Sequence, residues 1–167
     1  MEWTRCTSFG LRHVLPPCQV RWHGPKNRSA VINLSGRTAA LRTPNLKEVN
    51  SGAKVSTLPF AGTIVLAPSS SASLPKAPER SPKIDTFSGY LEIAGVKAGT
   101  YSISLDDAAW VDVVGDNQFL KAKAHSGVQG CHGIRKVLQF ELRADSLIVQ
   151  ISGAPTQRLN VAIMPSE

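Results

Sequence analysis

From Phe87 to the end of the chain, apolar and polar positions alternate with a period of two. FSGYLEI (87–93) places Phe87, Leu91 and Ile93 on one face, and TYSISL (100–105) places Tyr101, Ile103 and Leu105 opposite Ser102 and Ser104. WVDVV (110–114), QFLKAKA (118–124), KVLQFEL (136–142), SLIVQIS (146–152) and RLNVAIM (158–164) follow the same rule. Such alternation, rich in β-branched residues, marks strands with one face buried. Turn-forming stretches separate them: AGVKAG (94–99), LDDAA (105–109), GDN (115–117), RAD (143–145) and GAPTQ (153–157). With FAGTIVLA (60–67) ahead of them, the pattern predicts about eight strands and almost no helix. A single sheet of this kind would leave an apolar face in water, so two sheets must pack as an all-β antiparallel sandwich or jelly roll.

Upstream the pattern breaks down. APSSSASLPKAPERSPKID (67–85) is a proline- and serine-rich loop expected to be extended and solvated. Residues 1–54 show neither period. They carry nine lysines and arginines against two glutamates, whereas residues 55–167 balance ten against ten. The net charge of +7 therefore belongs to the first third. The sandwich has no electrostatic bias toward nucleic acid, and no such partner is expected. Residues 1–57 are expected to be a basic extension, disordered or non-native through a start placed too far upstream, with the domain spanning 58–167. No apolar run reaches the roughly 18–20 residues of a membrane-spanning helix. Three cysteines, Cys6, Cys18 and Cys131, do not make a disulfide scaffold. Disulfide pairing and oligomeric state stay open.

Two places offer chemistry. The corner LDDAAW could gather Asp106, Asp107, Trp110 and Asn117 around a calcium ion or a sugar hydroxyl. Trp110 would then offer its face to a sugar ring and its N–H to an acceptor. The plainer reading of that corner is a turn beside a core tryptophan. The loop AHSGVQGCHG (124–133) holds His125, Cys131 and His132, and Glu141 follows on the next strand. Two histidines and a carboxylate are the ligand set of non-haem iron oxygenases. The plainer reading is a solvated loop carrying a free cysteine.

The segments FAGTIVLAP, LPKAPERSPK, FSGYLEIAGVKAGTYSISLDDAAWVDVV, AHSGVQGCHGIRKVLQFEL and LIVQISGAP carry a resemblance. Between about Leu58 and Met164 the chain resembles small bacterial envelope or secreted β-sandwich proteins without an established activity. That resemblance implies a periplasmic or secreted location and an export signal, a pattern absent from residues 1–54. Similar chains are sometimes labelled homogentisate 1,2-dioxygenase, which implies a longer cupin-type enzyme with a complete iron site. GTYSISLDDAAWVDVVGDNQFL also resembles, in rhythm, PA14-type and carbohydrate-binding modules, which implies Asp106, Asp107 and Asn117 as binding residues. Three functions follow as expectations: a non-catalytic sandwich binding a glycan or protein, a metal-dependent jelly-roll oxygenase, or a structural accessory protein.

Overall fold

The computed structural model describes residues 19–21, 31–33, 35–128, 133–143 and 146–166. Chain order is β1 (Gln19–Arg21), β2 (Val31–Asn33), α1 (Ser35–Leu41), β3 (Lys47–Asn50), β4 (Ala53–Val55), β5 (Phe60–Val65) and β6 (Ala67–Pro68). It continues with β7 (Phe87–Ile93), β8 (Gly99–Leu105), β9 (Trp110–Gly115), β10 (Gln118–Leu120) and β11 (Ala124–Gly127). The last three strands are β12 (Lys136–Leu142), β13 (Leu147–Ala154) and β14 (Arg158–Pro165).

Two six-stranded sheets make a β-sandwich, and β1 and β2 form a separate two-stranded ladder. The first sheet runs β10-β9-β13-β7-β4, with β6 also paired to β7; the second runs β11-β12-β8-β14-β5-β3. Alternation builds the core. Leu91, Ile93, Val111, Val113, Val149 and Ile151 point inward from the first sheet. They meet Tyr101, Ile103, Leu105, Leu138, Phe140, Leu142, Leu159, Val161 and Ile163 from the second. Seven of the eight strands read from periodicity are present as single strands.

Three features depart from the sequence expectation. The sandwich begins upstream of Leu58: β3 pairs in parallel with β5, and β4 in parallel with β7, so both sheets are mixed. QFLKAKA is not one strand. It breaks at 121–123, where the chain leaves the edge of the first sheet at β10 and enters the edge of the second at β11. Thirdly, α1 covers part of the outer face of the second sheet. Leu41 joins Val128, Ile134, Val137 and Ala162 in a second apolar cluster, and Arg37 Nε donates to the buried Ser102 Oγ at 2.8 Å. A short helix with one buried leucine and one arginine leaves too little periodicity to detect.

The proline- and serine-rich segment is extended and largely exposed, as expected, but it is not free of the sandwich. It is a strap lying on the outer face of the first sheet, held by buried polar side chains. Gln150 uses both ends of its amide: its oxygen accepts from Lys76 N at 2.8 Å and its nitrogen donates to Lys76 O at 3.0 Å. Asp112 Oδ2 accepts from Glu79 N at 3.1 Å. Lys76 Nζ donates to Asn117 O at 2.9 Å, and Ser69 Oγ lies 2.6 Å from Ser88 Oγ. Proline and serine fill the strap because an extended segment crossing a sheet needs few backbone partners of its own.

Candidate functional site

Trp110 opens β9 with the outward phase of that strand. Val111 and Val113 face the core, so Trp110, Asp112 and Val114 face out, opposite Ser152, Gln150 and Ile148 of β13. The tryptophan is therefore not a core residue, which corrects the plainer reading of the corner. It is half-buried because the strap comes to rest beside it. Its Nε1 donates to Asp112 Oδ1 at 2.6 Å, which satisfies the indole and fixes its rotation. Arg80 of the strap and Lys136 at the start of β12 both lie over the ring, 5.8 Å and 5.2 Å from its centroid. The ring expected to stack on a sugar is thus engaged by two cations.

Lys136 shares the inward phase of Leu138 and Phe140, a charged residue where a core position is expected. It is only half-buried because it sits at the strand's end. There its ammonium donates to Ala109 O at 2.8 Å. Desolvation draws its pKa down, repulsion from Arg80 adds to this, and Asp112 partly opposes both.

Around this group lies a cleft of about 350 Å³. Its walls are Arg80, Pro82 and Lys83 from the strap, Trp110 and Lys136, and the Ser152–Gly153 turn of β13. At that point β13 carries a β-bulge, with Ser152 and Gly153 facing the single residue Ser88. Gly153 adopts φ +69°, a left-handed conformation that suits glycine and re-aims the strand. Ser152 is 1% exposed, and its Oγ has no hydrogen-bond partner among the described residues. A second cleft, also about 350 Å³, opens between the sheet edges on the other side of Trp110 and includes Glu79, Leu120, His125, Leu138 and Phe140.

The expected carboxylate site does not assemble. Asp106 acts as a clamp: its Oδ1 accepts from Asn160 N at 2.9 Å, and its own N donates to Asn160 O at 3.3 Å. Burial pushes its carboxyl above the usual range, against the lowering effect of those backbone bonds. Asp107 Oδ1 accepts from Ala108 N at 2.7 Å, an ordinary turn contact. Asn117 lies at the opposite end of β9, about 20 Å away for a six-residue strand. With Asp116 it forms the β9–β10 turn, both residues at positive φ (49° and 59°), as a two-residue hairpin of the primed type requires. Of the four expected residues, only Trp110 reaches the cleft.

The two described members of the proposed metal set are not brought together either. His125 pairs with Leu138 and shares its face, while Glu141, three residues on, projects from the other face of β12. Glu141 instead accepts from Lys123 Nζ at 2.8 Å and Thr100 Oγ1 at 3.2 Å, which lower its pKa. Cys131 and His132 lie outside the described residues. Among the described residues no group of three histidine, cysteine or acidic side chains could hold a metal.

Sequence reasoning did not nominate Arg80, Lys83, Lys136 or Ser152. One signal was available: Lys136 stands in phase with Leu138 and Phe140, where alternation calls for an apolar residue. No protein-family model, curated protein or solved structure matches this chain.

Proposed function

We propose that this chain is a non-catalytic ligand-binding β-sandwich whose binding site is the cleft where the strap meets Trp110. The observation that carries this reading is convergence. Three segments far apart in sequence, 80–83, 108–110 and 152–153, together with Lys136, wall one concavity around a fixed aromatic ring. A sandwich can close its core without such a feature. Binding accounts for a strap that sheet side chains hold in place, since a surface that must present groups in fixed positions gains from preorganisation.

Ser152 Oγ has no base within hydrogen-bond reach among the described residues, and Asp112 is committed to Trp110 and the strap. The resemblance to envelope and carbohydrate-binding sandwiches favours a glycan or a glycan-bearing partner. The residues differ from those the resemblance implies: Trp110 in place of Asp106, Asp107 and Asn117.

A glycan array probed with the full chain tests this. Binding should be lost in Trp110→Ala and kept in Asp107→Ala, with both variants retaining the β-rich circular dichroism of the parent. Binding that survives Trp110→Ala but vanishes in Asp107→Ala would move the site to the turn and overturn the proposal.

A further inference from the structure

The Trp110 cleft is lopsided in charge. Arg80, Lys83 and Lys136 line it, and no carboxylate does. Among the described residues none of the three forms an ion pair; the pairs present are Lys54–Glu92, Lys123–Glu141 and Arg158–Glu48, all elsewhere. The nearest acid acting on Lys136 is Asp112, and its two oxygens already accept from Trp110 Nε1 and Glu79 N. Arg80 and Lys136 are held over one ring and repel each other. Three cations against the single carboxylate of Asp112, which only partly offsets the repulsion, leave an excess of positive charge that costs free energy, and an arriving anion would recover it. Ser152 adds an independent sign, because an unpartnered hydroxyl buried to 1% in the cleft wall has unused capacity to donate.

From these observations, and resting on the reading of the cleft as a binding site, we infer that its ligand carries an oxyanion on a sugar-sized polar body. Arg80, Lys83 and Lys136 meet the charge, and Ser152 Oγ donates to one of its oxygens. The volume of about 350 Å³ suits a single sugar ring with one acidic substituent, and not a long apolar chain. Trp110 acts as a platform that keeps two cations converged, through the cation–π contacts and its own bond to Asp112. Carboxylate and phosphate share the chemistry that recognises them here: planar or tetrahedral oxygens facing fixed cationic donors.

The test is a titration of the full ¹⁵N-labelled chain followed at the Trp110 indole and the Ser152 amide. The probes are glucuronate, glucose 6-phosphate and neutral glucose. At least one charged sugar should shift both signals with an affinity about tenfold or more above glucose, the value of one charge-assisted hydrogen bond. Whichever charged sugar binds tighter identifies the acidic group. Lys136→Gln and Arg80→Gln should each erase most of that preference. Arg80 is an exposed strap residue, so its variant reports even where Lys136→Gln disturbs packing. Raising sodium chloride should weaken the charged sugar and leave glucose unaffected. Glucose shifting Trp110 as strongly as either charged sugar would overturn the anion inference while leaving the binding site standing. No shift at Trp110 with any of the three would remove the anion inference. If the glycan array is also silent, the binding reading falls with it.

Discussion

Replacing Gln150 with leucine isolates one latch of the strap. The two side chains are close in volume, so the change removes hydrogen bonds without opening a large cavity. Gln150 is 1% exposed and makes both of its bonds to the backbone of Lys76, at 2.8 Å and 3.0 Å. Each such bond contributes about 1 kcal/mol net, so the strap should open about 2 kcal/mol more easily. In amide hydrogen exchange that is roughly a 30-fold increase in rate for groups that exchange through strap opening. The informative amide is Glu79 N, which keeps its own acceptor, Asp112, in the variant. Its exchange should rise together with that of Lys76, while Val149 in the centre of the first sheet changes far less. Acceleration at Lys76 alone, with Glu79 unaffected, would show that the strap does not move as a unit and would refute this account of how it is held.

The remaining predictions concern core, edge and charge. Phe140→Ala, which empties the largest fully buried side chain, should cost about 3–5 kcal/mol in urea unfolding. Gly62→Ala should displace β3, because a Cβ there would stand 2.8 Å from the Lys47 carbonyl oxygen and 2.7 Å from Phe60 Cζ; loss of protection in 47–50 with the rest of the sheet intact would verify it. The Asp106 carboxyl titrates above its unfolded value, so the folded state holds its proton more tightly. Acidification through that raised pKa should therefore stabilise the parent relative to Asp106→Asn, with the difference levelling off below the unfolded pKa. A pH series of unfolding midpoints that falls in step for both proteins would contradict it. Glu141→Gln should leave both the metal content and the unfolding midpoint of the purified protein unchanged, since Glu141 is exposed and bound to Lys123.

The sandwich was legible because alternation is a property of burial, and burial here is one-sided over most of each strand. Leu138, Phe140 and Leu142 give their strand away without any other information. The pieces that escaped detection are held by different forces. β3 and β4 have three or four residues each, and β6 only two. They gain their place by pairing with strands already formed, which composition does not reveal. Prolines and serines mark the strap as extended and exposed, which it is, but they do not show that Gln150 and Asp112, both buried and polar on the outward phase of their strands, tie it to the sheet. The site was hidden for the same reason. Trp110 and Asp112 lie two residues apart on one face, which sequence can show. Arg80, Lys136 and Ser152 reach them only through the strap, the sandwich end and the bulge in β13.

The binding cleft stands or falls with the direction in which Trp110 points, and a nuclear Overhauser map of the Trp110 indole tests it directly. Contacts to the side chains of Arg80 and Lys136, with none to the methyls of Ile103 and Val149, are the predicted result. Strong contacts to Ile103 and Val149, with none to Arg80, would place the ring between the sheets and leave the cleft without its platform.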